Sequence, residues 1–367
     1  MALDSSVYGS VATPRIFVDI VQFCRAKGIP IGHYHWGYGF SGTYEDVWDM
    51  NPAKANIAEN APTTHFENIT HEDYNLYYTR WGIMIDTDGT RPEIQKLLAT
   101  CNYYAMLGHN FADISENDTT IAPLSGGDEG VNYGYEQYYT EDVYAPDRSM
   151  YDRNGYRIKT ISPNLESSIG VHGNRGFIVL LKSSTQSDNI KLGAISVGRY
   201  FDFPHSANLS MNIDHSFDGI KKRRTIGGSD LVNVSYNSPP NWIGEYRPFT
   251  NTTESATLGY GGRRSWDLTF SYLDKEAVFP KNFNEQFMFD KYISESDESM
   301  DLFSNPTQEN ILSHYFTLTQ GGSIPHILQP DKTKEDFCLV RLDRSSLRIN
   351  QTAPLLYDVK MRFVETW

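Results

Sequence analysis

A period of two runs through the apolar residues of this chain, and that period constrains the fold more than any other feature. In Trp266-Asp-Leu-Thr-Phe-Ser-Tyr272 the large side chains Trp266, Leu268, Phe270 and Tyr272 occupy alternate positions. Only an extended strand places such residues together on one face. Near the other end of the same region Asp358, Lys360 and Arg362 alternate with Val359, Met361 and Phe363, which predicts a strand with one wet face and one dry face. Leu209, Met211 and Ile213 repeat the spacing. Phe177–Lys182 is a continuous apolar run of strand length, as expected of a strand buried on both faces. Further strand-length runs lie at Trp81–Asp86, Tyr103–Gly108, Leu192–Phe203, Leu231–Tyr236 and Cys338–Leu342. Helical patterning is confined to Glu93–Thr100 and the stretch around Glu309–Phe316. Arg15–Cys24 reads as a strand by its β-branched residues, yet Ile16, Ile20 and Cys24 also share a helical face; Lys27, Gly28 and Pro30 end it in either case.

The expected fold is therefore all-β: a jelly-roll or β-sandwich domain plus a second, C-terminal β-domain, with long loop insertions. The chain has 367 residues, and at roughly 150 residues per domain that allows two or three. The divisions expected are an N-terminal arm, strand and long aromatic loop over 1–62; the jelly roll over 63–215, with a polar insertion at 115–158; a basic hairpin and connector over 216–262; and the C-terminal β-domain over 263–367. Residues 32–62 carry no sustained period and read as loop. A loop of that length usually serves function or assembly. No internal repeat occurs at solenoid or propeller periods.

Hydrophobic residues at 39 % and charged residues at 21 % exclude a disordered chain or a coiled-coil rod. No apolar run approaches the roughly 18 residues of a membrane-spanning helix, and polar Met1–Arg15 carries no apolar leader, so neither membrane insertion nor a secretion signal is expected. Lys and Arg number 32 against 46 Asp and Glu, a net charge of −14. That sign argues against a nucleic-acid partner, whose phosphates require cations, and fits a solvated acidic surface or contact with basic patches on other proteins. The three cysteines, Cys24, Cys101 and Cys338, are odd in number and widely spaced. They predict reduced thiols rather than a disulfide framework or a zinc site. N-x-S/T triplets at Asn68, Asn117, Asn208, Asn233, Asn251 and Asn350 are read as common triplets in a chain without a secretion signal. The 24 Tyr, 19 Phe and 6 Trp suit half-buried strands and subunit contacts, where one end of a ring is dry and the other wet.

Several stretches could carry chemistry. Gly37-Tyr-Gly-Phe-Ser-Gly42 satisfies GxGxxG literally. A dinucleotide fingerprint needs a strand before it and a helix after it, and here Glu45–Asp49 and Pro52 follow. His33 and His35 would share a strand face, with Asp46 or Asp49 as further metal ligands, but convergence of three or four ligands is not visible. Tyr34, Trp36, Tyr38, Phe40, Tyr44 and Trp48 could stack on sugar rings or dock on a neighbouring subunit, or fold back on their own core. Asp86 and Asp88, and Asp128 with Glu129, could form a glycosidase-like acid/base pair, although acids beside Gly commonly mark turns. No hydrolase or nucleotide motif of established mechanism accompanies them. Lys221–Arg224, the one basic run, could clamp phosphate, pair with an acidic neighbour, or sit solvated on a hairpin.

Asn102-Tyr-Tyr-Ala-Met-Leu-Gly-His-Asn-Phe111 resembles the strand-and-turn of galactose-binding-like (discoidin-type) jelly rolls in tail proteins of double-stranded-DNA bacteriophages. Leu192-Gly-Ala-Ile-Ser-Val-Gly-Arg-Tyr-Phe-Asp-Phe-Pro204 resembles a later strand of that domain. Gly262–Tyr272 and Leu356–Trp367 resemble the C-terminal β-domain of phage tail and baseplate proteins, and Gln320–Pro330 resembles a turn found there, with His326 where an apolar residue is usual. The likeness spans residues 80–112 and 175–367. It implies a non-enzymatic virion structural protein without cofactor, assembled in the host cytoplasm into a tail-end or baseplate ring. Its partners would be other copies of itself and neighbouring tail proteins. On this expectation Trp36, Tyr38 and Trp48 are the aromatic anchors of subunit contacts, and Lys222, Arg223 and Arg224 the ion-pair donors. The alternative is a carbohydrate-binding module that meets a host surface glycan through the same aromatic loop; a polysaccharide-cleaving enzyme using Asp86 or Asp88 is the third class.

Overall fold

The computed structural model describes residues 13–36, 38–52, 56–59, 61–62, 77–85, 101–109, 118–125, 155–160, 174–183, 189–208, 212–216, 220–234, 263–279, 311–333, 337–343 and 346–366. Strands in antiparallel sheets make up most of them and the helices are short, so the chain is all-β, as its alternation predicts. Two compact units divide the chain, and they are interleaved rather than consecutive. One comprises residues 1–17, 201–296 and 306–367, the other 18–200 and 297–305. The borders fall inside two strands, β1 (Arg15–Asp19) and β12 (Ala194–Asp202), which each begin in one unit and end in the other.

In the unit that holds the C-terminus, the sheet runs in the order β13 (Asn212–Ser216), β16 (Arg263–Asp274), β20 (Leu356–Glu365), β18 (Cys338–Leu342), β17 (His326–Gln329) and the first residues of β1. β19 (Arg348–Ala353) also pairs with β20. Trp266, Leu268 and Phe270 of β16 are buried with Val359, Met361 and Phe363 of β20. Two short helices, α2 (Lys275–Val278) and α3 (Ile311–Leu318), add Ala277, Val278, Leu312, Tyr315 and Leu318 to the buried set. Tyr272 departs from the alternation: it is 75 % exposed, and Leu273 takes the buried position. The register of β16 on β20 shifts between Phe270 and Leu273, and Tyr272 adopts φ 62°, so an extra residue at this bulge turns the tyrosine outward. The start of β1 pairs with β17 through Arg15, Ile16 and Phe17. Arg15 also pairs with Asp202 at 2.6 Å, and Lys332 reaches the same carboxylate at 3.3 Å.

The other unit contains the end of β1, most of β12, β7 (Tyr103–His109) and β9 (Gly155–Thr160). A second sheet orders β2 (Ile31–Trp36), β6 (Tyr77–Ile85), β10 (Asn174–Ser183) and β8 (Asp118–Ser125), with β5 (Ala61–Pro62) against β6. A third joins β11 (Asn189–Leu192), β4 (Asn56–Glu59) and β3 (Tyr38–Ser41). Arg15–Cys24, open to both readings in sequence, is a strand that passes directly into α1 (Ile20–Ala26). Residues 32–62, expected as loop, carry most of β2 and all of β3, β4 and β5. The reason is tertiary: β2 pairs along its length with β6, from Ile31 opposite Ile85 to Trp36 opposite Arg80, so pairing supplies what local periodicity lacks. The polar stretch 115–158 likewise holds β8 and the start of β9. Leu192–Phe203, expected as one strand, breaks at Gly193, whose N–H points at the carbonyls of Leu107 and Gly108. Glu93–Thr100, Leu209 and Met211 lie outside the described residues.

Candidate functional site

The residues of the expected aromatic loop do not form one surface. Trp48 sits in a 3₁₀ turn, Asp46–Trp48, and is completely buried, so it is a core residue and offers nothing to a neighbouring subunit. The turn is fastened from α1: Gln22 Nε2 and Arg25 Nη1 both donate to the Trp48 carbonyl, the latter at 3.2 Å, and Arg25 Nη2 reaches the Glu45 carbonyl at 3.3 Å. Trp36 ends β2 and Tyr38 begins β3; their side chains lie outside the described residues. Ser41 closes β3 and a turn follows, so the GxGxxG segment lacks the helix that would hold a pyrophosphate.

The acidic and imidazole groups near it are used in turns and packing. Asp46 accepts from the Thr43 N–H at 3.1 Å, and Asp49 from the Asn51 N–H at 2.7 Å. His33 is half-buried with Nε2 3.3 Å from Arg25 Nη2. Burial first, and the Arg25 charge second, hold its pKa below the usual imidazole value. Among the described residues no three metal-ligating side chains converge. Asp86, Asp88, Asp128 and Glu129 lie outside the described residues.

A cluster that the sequence does not announce lies around Asp19, which is fully buried. Its Oδ1 caps α1 by accepting from Gln22 N–H at 2.7 Å, and its Oδ2 accepts from Val197 N–H of β12 at 3.2 Å. Ser196 also hydrogen-bonds the carboxyl, and the Ser196 hydroxyl lies 2.8 Å from the Tyr103 hydroxyl. A hydroxyl has one proton to give. With Ser196 donating to Asp19, Tyr103 donates to Ser196, and the chain of donors ends on the carboxylate. Burial pushes the Asp19 pKa up to about 6, and these hydrogen bonds together with the Arg25 charge restrain the rise. Burial also pushes the Cys101 and Tyr103 groups upward, so neither is a ready nucleophile or base. The cluster ties α1, β7 and β12 together. Its one sequence signal is a lone acid inside the apolar run Arg15–Cys24.

A buried ion pair joins β16 and β20. Glu365 of β20 accepts from the backbone N–H of Arg264 at 2.9 Å and from its Nη2 at 3.0 Å, while the guanidinium lies 5.1 Å from the Trp266 ring centre. His326 is buried between Tyr315 and Phe363; its Nδ1 lies 2.9 Å from the Ile324 carbonyl and its Nε2 3.1 Å from the Tyr315 hydroxyl. Nδ1–H therefore donates, Nε2 accepts, and the ring is neutral.

The basic run is exposed. Lys221–Arg224 lie in β14 (Ile220–Arg224), which pairs with β15 (Asp230–Val234) in a two-stranded ribbon. Thr225 N–H donates to the Ser229 carbonyl at 2.8 Å, Gly228 N–H to the Thr225 carbonyl at 2.9 Å, and Ser229 N–H to Thr225 Oγ1 at 3.0 Å. Gly228 supplies the φ of 85° that the turn requires. Lys222, Arg223 and Arg224 are exposed, as ion-pair donors to another molecule must be. Ile226 at the tip is 110 % exposed relative to an isolated residue, Leu231 60 % and Val232 52 %.

Compared with protein-family models, characterised proteins and solved structures, the chain finds no match.

Proposed function

We propose that the protein is a non-enzymatic structural subunit of a bacteriophage tail, contributing to a ring at the tail end or baseplate and assembled in the host cytoplasm. The observation that carries this reading is the contrast between its buried and exposed chemistry. Three sets of buried polar groups, Asp19 with Ser196 and Tyr103, Arg264 with Glu365, and His326 with Tyr315, are spent on one another inside the units. The described surface instead presents a basic ribbon carrying bare aliphatic side chains. Exposed apolar groups beside mostly positive charge suit a protein contact, in which apolar side chains drive association and charges set register. The resemblance of Asn102–Phe111, Leu192–Pro204 and Gly262–Tyr272 to tail and baseplate proteins supplies the setting.

The test is electron microscopy of phage particles labelled with an antibody against this chain. Label at one end of the tail is expected; tails that carry none overturn the reading. Glycan binding by the isolated chain that disappears with Trp36→Ala, in that case, assigns the protein to host-surface recognition instead.

A further inference from the structure

We infer that the β14–β15 ribbon is a docking arm that enters an acidic cleft on a second copy of this chain. The inference rests on the subunit reading above and names the partner. A two-stranded hairpin alone is marginally stable in water, and among the described residues this one pairs with no other strand. Residues 221–224 and 226–233 are all exposed, so the arm has surface to bury on both sides.

Both sides carry cations beside aliphatic residues. Register places Lys222 opposite Val232 and Arg224 opposite Asp230, and these alternate residues share one face. Lys221 opposite Asn233 and Arg223 opposite Leu231 share the other. Each face thus presents two cations beside aliphatic positions, Val232 and the Ile220–Val234 pair on the first, which also carries Asp230, and Leu231 on the second, and Ile226 projects at the tip between them. A ribbon that lies flat on a partner needs one apolar face and leaves the other to water. A ribbon with cations and aliphatics on both faces and an apolar tip is suited to a cleft whose two walls are acidic around an apolar floor.

Charge identifies the owner of that cleft. The arm carries four cations and one acid, whereas the whole chain stands at −14, so everything outside the arm is more acidic still. Two copies therefore offer each other complementary surfaces: the arm of one and the acidic body of the next. Where each arm enters the next copy in line, the contact is heterologous and propagates into a ring or filament. The same net charge opposes a duplex nucleic acid, whose phosphates would have to approach an anionic body.

The experiment is sedimentation velocity of the full chain over a range of concentration at about 0.05 M and about 0.5 M salt, where screening lengths differ several-fold. Association that weakens at high salt is expected. The triple variant K222E/R223E/R224E and the single variant Ile226→Asp change exposed groups only, so their thermal melts should match wild type. Each should weaken self-association by about tenfold or more, as loss of a central contact does. Tagged wild-type chain should still capture the untagged triple variant, because the variant keeps its acidic cleft and the wild type supplies the arm. Wild type that is monomeric at all concentrations, variants that associate as wild type does, or a triple variant that wild type fails to capture each overturns the inference. So does tight binding of a labelled DNA duplex that the triple variant loses without any change in self-association. Labelled tails with a monomeric chain sink the arm and leave the tail reading standing; unlabelled particles with arm-dependent association do the reverse.

Discussion

Asp19 and His326 show how far single side chains set the behaviour of this protein, because burial drives their protonation in opposite directions. Burial raises the Asp19 carboxyl to about 6, so between about pH 4 and pH 6 the folded chain holds a proton that the unfolded chain has released. Stability from this group falls as pH rises through that window, by on the order of 3 kcal/mol. Burial lowers His326 to about 4, and the unfolded imidazole takes up its proton near pH 6.5. Stability from this group therefore rises with pH from about 4 to 6.5. The two slopes offset each other in wild type. In Asp19→Asn the rising slope of His326 is left alone, and urea unfolding across this pH range should show a variant that gains stability relative to wild type as pH increases; parallel curves would refute the assignment. Trp48 carries a separate expectation. Being fully buried, it should cost about 3–5 kcal/mol when replaced by alanine, whereas Arg223→Glu on the exposed ribbon should leave chemical denaturation within about 0.5 kcal/mol of wild type.

Strands were legible where the sequence itself alternates. Trp266, Leu268 and Phe270 on β16, and Val359, Met361 and Phe363 on β20, occupy the buried face that their spacing indicates. Alternation ends at Tyr272 because a bulge inserts one residue, which no count of apolar positions contains. β2 to β5 were illegible for another reason: their residues become strands by pairing with partners such as β6, far along the chain. The same division holds for the sites. The basic ribbon is local, and four consecutive cations before Gly227 and Gly228 mark it. The Asp19 cluster joins residues 19, 103 and 196, which only the folded sheet brings together. Backbone proximity adds a constraint that apolar spacing does not express. A Cβ at Gly198 of β12 would collide with the Val18 carbonyl oxygen of β1, while one at Gly227 in the ribbon turn meets only Thr225 Oγ1 at 3.9 Å. Gly198→Ala should therefore destabilise by about 1–3 kcal/mol or more and Gly227→Ala by little, as thermal unfolding of the two variants would show. Equal melting of both would mean that β12 shifts freely to admit a side chain.

Interleaving of the two units has a consequence for the whole molecule. The patterned stretches follow one another along the chain, and the sequence leaves open whether the strand at Arg15–Cys24 packs in the first domain or returns to the C-terminal one. The unit that ends at the C-terminus begins with residues 1–17, and these are separated from its next segment by the other unit. What residues 13–17 contribute is substantial. Ile16 and Phe17 are buried, their strand pairs with β17, Thr13 accepts from the Lys332 N–H, Pro14 accepts from the Phe203 N–H, and Arg15 holds Asp202. A fragment covering residues 201–367 lacks all of this: β17 loses its β1 neighbour and the core loses two large side chains. Burial of two such side chains is worth about 3–6 kcal/mol, a large part of the total stability of a typical domain. The fragment alone should therefore show a weak or absent cooperative melt by circular dichroism. A synthetic peptide carrying residues 13–19, added in excess, should restore the transition by binding only the folded form, with a midpoint that rises with peptide concentration. A variant peptide with Ile16→Asp and Phe17→Asp should not. Cooperative folding of the fragment without peptide would show that the C-terminal strands close their own core, and that the first strand is an addition to the unit rather than a part of it.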